Sequence, residues 1–167
     1  ARILRDRGFD ASSYDPLAES VFSLPKTSHQ HFDFVTMVEV FEHLEDPVTT
    51  ITELSEQTNL IFISTLCIPG GGIDTNWWYL LADTGQHINF PTKSSLETLA
   101  KKIGWTLTTN GNNLHLLSRY SPSKVQRFMV KHQRISWLLG FLSYPIIRRR
   151  SLTSSDLDRK TLEIYKD

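Results

Sequence analysis

Two apolar runs in the first half of the chain predict the buried strands of a parallel sheet. The first covers residues 34–38 and the second covers residues 60–66. Strands that are covered on both faces of a parallel sheet read as continuous apolar runs rather than as an alternation. Between the two runs, Glu45-Asp46-Pro47 supplies acidic residues and a first-turn proline for the start of a helix that ends near Gln57. The pattern therefore predicts a strand–helix–strand crossover that is complete by residue 66.

The next elements are a helix and a pair of strands. Residues 92–97 resemble a capping box and predict a helix over residues 93–102. Two strands follow at 105–109 and 114–118, and the turn between them begins with Asn110-Gly111. Asn-Gly between apolar runs is the strongest short hairpin signal. We therefore expect an antiparallel hairpin that closes the sheet.

The N-terminal residues predict the end of one helix and one short strand. Residues 1–7 have helical propensity and Gly8 follows them as a C-cap glycine, so we expect the last turns of a helix that begins before Ala1. A natural start with an amphipathic helix is the alternative. Residues 9–14 alternate weakly and stop at Asp15-Pro16, because proline ends a strand. Asp15 is thus predicted at the carboxyl end of a strand.

The C-terminal segment differs in composition from the rest of the chain. Val125, Phe128 and Ile135 keep helical spacing, with lysines and arginines around them. We predict a domain over residues 1–119 and a helical extension over residues 120–167. The apolar part of this extension, residues 135–147, is shorter than the roughly 17–25 residues that cross a bilayer. We expect no association with a membrane surface.

Composition and charge favour small-molecule chemistry. With 167 residues and 40% hydrophobic content, the chain can bury the core of one domain with an appendage. The 18 basic and 18 acidic residues cancel, so no overall field attracts nucleic acid. The single cysteine, Cys67, fits a reducing, cytoplasmic compartment. We expect no metal site, since His29 and His31 lack carboxylate or thiol partners at ligand spacing.

Three sequence elements, in order, resemble class I S-adenosylmethionine-dependent methyltransferases. They are Asp15, the F-D-x-V-x-x-x-E-V-x-E-H-L block over residues 32–44, and a W-W-Y…G-Q-H-I-N-F block over residues 77–90. The second block resembles the family's fourth-strand motif, and the third resembles the segment after the fifth strand in one subfamily. The resemblance covers residues 1–119. It implies an α/β fold with a Rossmann-like, mostly parallel sheet and an antiparallel terminal hairpin.

The resemblance also implies a set of cofactor-binding residues. Asp15 matches the acid that accepts two hydrogen bonds from the ribose of S-adenosylmethionine, although Asp-Pro is also a common turn starter. Glu39 and Val40 follow the fourth strand, where the family holds the methionine portion of the cofactor. Phe22 is the nearest candidate for the adenine contact. The methyl acceptor implied is a small metabolite or sugar intermediate, methylated on oxygen or nitrogen.

Two histidines are the candidate catalytic residues. His87, in the third block, is the best candidate for a general base, because a neutral imidazole can accept the proton of an acceptor hydroxyl or amine. His43 is the second candidate. Either ring has the simpler alternative of a hydrogen bond to a backbone carbonyl. Likewise Trp77, Trp78 and Tyr79 either line or close an acceptor pocket, or pack on the sheet edge.

The family's glycine-rich loop, G-x-G-x-G, does not occur in this sequence. We therefore expect the family's first strand to be missing from this chain and to lie upstream of Ala1. Its absence motivates an alternative function, a degenerate methyltransferase fold that serves as a binding or scaffold module. A nicotinamide-dependent enzyme would share the ribose acid but would not account for residues 32–44. The sequence does not indicate the oligomeric state.

Overall fold

A computed structural model describes residues 2–5, 8–15, 31–81 and 83–136. The chain divides into two compact units. The first comprises residues 1–28 and 137–167, and the second comprises residues 29–136. The predicted adenine contact, Phe22, and the extension beyond residue 136 lie outside the described residues.

In the first unit, a short helix ends as the sequence predicts. Helix α1 covers Arg2–Arg5, and Gly8 adopts a φ of +81°, where glycine is favoured. The amide of Phe9 donates to the carbonyl of Leu4 at 3.1 Å, and the amide of Gly8 donates to the carbonyl of Arg5 at 2.8 Å. This pair of hydrogen bonds is the Schellman motif of a helix C-terminus.

The strand predicted over residues 9–14 is wrong. In the described stretch 8–15, Ser13 forms an isolated bridge, and no strand is present. Phe9 and Tyr14 are 58% and 64% exposed. These large side chains are not buried. The weak alternation of apolar and polar residues therefore has no buried face to stabilise a paired strand.

The second unit contains a four-stranded sheet. The strands are β1 (Val35–Val38), β2 (Leu60–Ser64), β3 (Thr106–Thr109) and β4 (Leu114–Ser118). Their spatial order is β1-β2-β4-β3. β1 pairs parallel with β2, whereas β4 pairs antiparallel with both β2 and β3. Three strands therefore run in one direction and β4 runs against them, which confirms the crossover and the hairpin.

The helices begin where the sequence predicts. Helix α2 covers Pro47–Gln57, and the Asp46 carboxylate caps it by accepting from the amide of Thr49 at 3.0 Å. A hydrogen bond from the Thr49 hydroxyl, together with this backbone contact, holds the pKa of Asp46 below its usual value. Helix α3 covers Lys93–Lys102, and Thr92 and Ser95 form a reciprocal capping box.

One face of the sheet packs against α2 and α3. Buried residues from both layers form one core: Met37, Phe41, Ile51, Ile61, Ile63, Cys67, Leu96, Leu99, Ala100, Trp105 and Leu117. On β1, however, Thr36 is exposed and Val38 is 58% exposed, so the prediction of a strand buried on both faces is wrong. Among the described residues of this unit, β1 is the edge strand, and one face of it has no covering layer.

Helix α4 covers Lys124–Lys131 and packs against β3 and β4. Its buried residue is Val130, whereas Val125 is 66% exposed and Phe128 is 42% exposed. The predicted apolar stripe is therefore not the face that this helix buries. In the part of the chain that is described, no helix has the length and apolarity to cross a membrane. The domain boundary at residue 119 stays a prediction.

Candidate active site

The site lies at the carboxyl ends of the parallel strands β1 and β2. Glu39 directly follows β1, and its amide donates to the carbonyl of Ser64, the last residue of β2, at 3.0 Å. Its Oε1 accepts from the Ser64 hydroxyl at 2.9 Å. Glu39 has a φ of +52°, a conformation that costs energy for a side chain other than glycine. The turn is thus strained while its carboxylate is held over the strand ends.

A 3₁₀ turn, Phe41–His43, follows Glu39. Phe41 enters the core, and Glu42 beside it is fully buried. The carbonyl of Glu42 accepts from the amides of Ile88 and Asn89 at 2.8 and 3.0 Å. The Asn89 side-chain amide donates to the carbonyl of Leu44. These bonds fix the G-Q-H-I-N-F block against the E-V-F-E-H-L block.

The Tyr79 hydroxyl is the centre of the buried polar network. Tyr79 is 2% exposed, and its hydroxyl lies 2.7 Å from Oε1 of Glu42 and 3.3 Å from Oε2 of Glu39. The Leu66 amide donates to it at 3.3 Å, and the Thr65 hydroxyl lies at the same distance. A phenol has a single proton. The shorter distance assigns that proton to the bond with Glu42.

Burial raises the pKa of Tyr79 well above its ordinary value, and the hydrogen bond to Glu42 raises it further. Burial disfavours the phenolate, and the neighbouring carboxylate repels a second negative charge. Tyr79 is therefore a neutral hydrogen-bond donor at physiological pH.

His43 and His87 each direct ring nitrogen Nδ1 toward a backbone carbonyl. Nδ1 of His43 lies 2.9 Å from the carbonyl of Gln86, and Nδ1 of His87 lies 2.6 Å from the carbonyl of Tyr79. Because a carbonyl oxygen only accepts, Nδ1 carries the proton in each ring, and Nε2 of a neutral ring keeps its lone pair. The ring centroids are 4.8 Å apart. The backbone thus fixes the tautomer of both histidines.

One carboxylate oxygen in this network is unpaired. Oε2 of Glu42 is buried and has no hydrogen-bond partner among the described residues. Neither Glu39 nor Glu42 forms an ion pair within the described part of the chain. A buried carboxylate without a compensating donor or cation is costly.

An open pocket of about 540 Å³ lies beside this network. Residues 69–77 of the loop after β2 supply its lining, and Trp77 is its aromatic wall. The Trp77 ring lies 5.4 Å from Tyr79 and 5.7 Å from Phe90, measured between ring centroids. Trp78 is 70% exposed. Of the three aromatics in the W-W-Y motif, Trp77 therefore lines a pocket and Tyr79 completes the buried network.

The buried histidine of β4 has a structural role. His115 is fully buried on β4, its Nδ1 lies 2.7 Å from the Thr109 hydroxyl, and its Nε2 lies 3.0 Å from the carbonyl of Thr65. Burial lowers the pKa of His115 and raises the pKa of the adjacent Cys67 thiol. Both groups are therefore neutral and hold β4 to the end of β2.

The fold brings together three of the predicted site residues, Glu39, His43 and His87. Val40 is 40% exposed, and its carbonyl accepts from the amide of His43 at 3.0 Å. Asp15 belongs to the first unit and is exposed. Its predicted role in ribose binding stays a prediction.

Sequence reasoning missed the polar role of Tyr79 and the burial of Glu42. The W-W-Y motif indicates only that the aromatic ring of Tyr79 lines a pocket or packs on the sheet. Its hydroxyl meets Glu42 across 37 positions of sequence, so no local pattern signals the contact.

Comparison with known protein families identifies the chain. A family described as "Methyltransferase domain" matches residues 1–110. This match covers most of the chain, so the protein belongs to that methyltransferase family, in agreement with the class I resemblance of its motifs. No curated protein and no solved structure matches the chain.

Proposed function

We propose that this protein transfers a methyl group from S-adenosylmethionine to a hydroxyl or amine of a small-molecule acceptor. Membership of the methyltransferase family supports the reaction class. The arrangement that carries the proposal is the convergence of Glu39, Glu42, His43 and His87 at the carboxyl ends of two parallel strands. Open α/β sheets bind their ligands at this end.

We propose a cofactor contact at the turn after β1 in the second unit and, separately and from the family resemblance alone, one at Asp15 in the first unit. The strained Glu39 turn presents backbone and carboxylate at the strand ends, where the methionine portion of the cofactor would lie. Asp15 would accept hydrogen bonds from the ribose hydroxyls, which requires an ionised and accessible carboxylate. Its exposure agrees with this role.

The chemistry requires alignment more than covalent participation. A lone pair of the acceptor attacks the methyl carbon, the carbon–sulfur bond breaks, and the sulfonium becomes the neutral thioether of S-adenosylhomocysteine. Holding the three reacting atoms in line supplies much of the acceleration. The proton of the acceptor then needs a base. Nε2 of His87 is suited to that role because Nδ1 already carries a proton and donates to the Tyr79 carbonyl.

The buried network argues against a purely structural module. An unpaired buried carboxylate oxygen and a strained turn both lower stability, and folds retain such features at functional sites. A scaffold with no ligand at this end would gain stability by replacing Glu42 with an apolar residue.

The proposal is tested by following S-adenosylhomocysteine formation with panels of hydroxyl and amine acceptors. We expect turnover with at least one acceptor class, lowered ~10²-fold or more by His87→Asn. His132→Asn is the matched control, because His132 is an exposed histidine on the same unit and lies outside the site. A loss of less than threefold in His87→Asn would remove the base assignment.

A further inference from the structure

We propose that Glu42, His43 and His87 form a binding site for a divalent first-row metal ion, with Glu39 as a second negative charge beside it. One donor atom from each of the three residues lies within 4.8 Å of the others. Ligands bonded to one ion at about 2.1 Å lie about 3 Å apart. Small side-chain rotations would therefore bring the three donor atoms within bonding distance of a single ion.

The unpaired oxygen of Glu42 is the first independent observation. Its side chain is fully buried, Oε1 accepts from Tyr79, and Oε2 has no hydrogen-bond partner among the described residues. Glu39 contacts the same Tyr79 hydroxyl, so two carboxylates lie next to each other while neither has a cationic side chain paired with it in the described part. A divalent cation would satisfy the orphaned oxygen and compensate both charges.

The orientation of the histidines is the second observation. Metal-binding histidines donate their other ring nitrogen to a carbonyl or carboxylate, which fixes the tautomer and turns the lone pair toward the ion. Nδ1 of His43 and Nδ1 of His87 donate to the carbonyls of Gln86 and Tyr79, which leaves Nε2 of each neutral ring with a lone pair for a metal ion. The backbone carbonyl of Tyr79 orients one ligand while its hydroxyl orients another, Glu42.

The donor set indicates the class of ion. Imidazole nitrogens favour Zn²⁺, Fe²⁺ and related ions, whereas carboxylates suit Mg²⁺, Ca²⁺ and Mn²⁺. Two imidazoles with one carboxylate therefore fit Fe²⁺ or Zn²⁺ best, and Mn²⁺, a first-row ion that also suits carboxylates, better than Mg²⁺ or Ca²⁺. Three protein ligands leave coordination positions open for an exogenous oxygen.

A consequence for the acceptor rests on the proposed function. An acceptor hydroxyl bound at an open position would have a lowered pKa, so it could lose its proton to solvent and attack the methyl carbon as an alkoxide. His87 would then act as a ligand rather than as the base, because its Nε2 cannot do both. The metal site thus favours oxygen acceptors over amines.

The test is a titration of Mn²⁺ into the metal-stripped full chain, followed by calorimetry and by electron paramagnetic resonance. We expect one Mn²⁺ per chain and at least tenfold weaker binding in Glu42→Gln and in His87→Asn. Matched controls are Glu53→Gln and His132→Asn, which remove an exposed carboxylate and an exposed imidazole outside the cluster. Both controls should bind Mn²⁺ as the wild type does.

Two results would overturn the inference. One is a folded wild-type chain that binds neither Mn²⁺ nor Zn²⁺. The other is stoichiometric binding that Glu42→Gln, His43→Asn and His87→Asn all leave unchanged. If Glu42→Gln does not fold, Mn²⁺ binding by His43→Asn and His87→Asn shows whether the cluster is the metal site. Titrating S-adenosylhomocysteine into the metal-stripped protein tests cofactor binding separately, so failure of the metal site and failure of the methyltransferase proposal are distinguishable.

Discussion

The Tyr79 hydroxyl donates a 2.7 Å hydrogen bond to the buried carboxylate of Glu42. This bond joins the W-W-Y block to the E-V-F-E-H-L block, two motifs that are remote in sequence. The carbonyl of the same tyrosine accepts from His87 at 2.6 Å. One residue therefore positions both the central carboxylate and the candidate base.

Removing the Tyr79 hydroxyl should lower the free energy of unfolding. In Tyr79→Phe, Glu42 loses its partner and the Leu66 amide loses an acceptor, so we expect the free energy of unfolding to fall by about 1–3 kcal/mol. Denaturant unfolding measures this change. Trp78→Phe is the neighbouring control, and since Trp78 is 70% exposed we expect a change of less than about 0.5 kcal/mol. Equal effects in the two variants would argue against a stabilising network.

The buried histidine of β4 should make stability depend on pH. Burial lowers the folded-state pKa of His115, so the unfolded chain takes up a proton first as pH falls below about 6.5. The contribution of His115 is complete above that pH. Below it, the free energy of unfolding should fall by up to about 1.4 kcal/mol per pH unit until the folded-state pKa is reached.

Unfolding measured between pH 7 and pH 5 should show a shallower dependence in His115→Gln than in the wild type. His132→Gln, at an exposed position, should keep the wild-type slope. If His115→Gln does not fold, NMR titration of the His115 ring in the wild type measures its folded-state pKa directly. A folded-state pKa above 6.5 would contradict the prediction.

The centre of the sheet should tolerate truncation poorly. Leu117 on β4 is fully buried and pairs across the sheet with Ile61, which is also fully buried. We expect Leu117→Ala to lower the free energy of unfolding by about 2–5 kcal/mol, because it leaves a cavity between packed layers. Val125→Ala, at a position 66% exposed, serves as the control. A loss below about 1 kcal/mol would mean that Leu117 is not central to the core.

Elements with local signals could be predicted from the sequence. Glu45-Asp46-Pro47 predicts the start of α2, and the structure shows that Asp46 caps this helix and that Pro47 is its first residue. Asn110-Gly111 predicts the hairpin because positive φ is needed there, and Gly111 has a φ of +80°. In each case the residues that determine the geometry are adjacent in the chain.

Features that depend on tertiary contacts could not be predicted in this way. An apolar run indicates that a strand can be buried, but it does not indicate which layers cover the strand. The exposure of Val38 could therefore not be predicted from the run. The burial of Glu42 contradicts the preference of a carboxylate for water. It follows from Tyr79 and from the amides of Ile88 and Asn89, which reach it only in the folded chain.

The most direct measurement is a calorimetric titration of S-adenosylhomocysteine into the longest natural form of the protein, beside Asp15→Ala and the control Asp10→Ala. We expect saturable binding with one site per chain, weakened at least tenfold by Asp15→Ala and unchanged by Asp10→Ala. No binding by a folded protein would contradict the methyltransferase assignment and would favour a non-catalytic binding module.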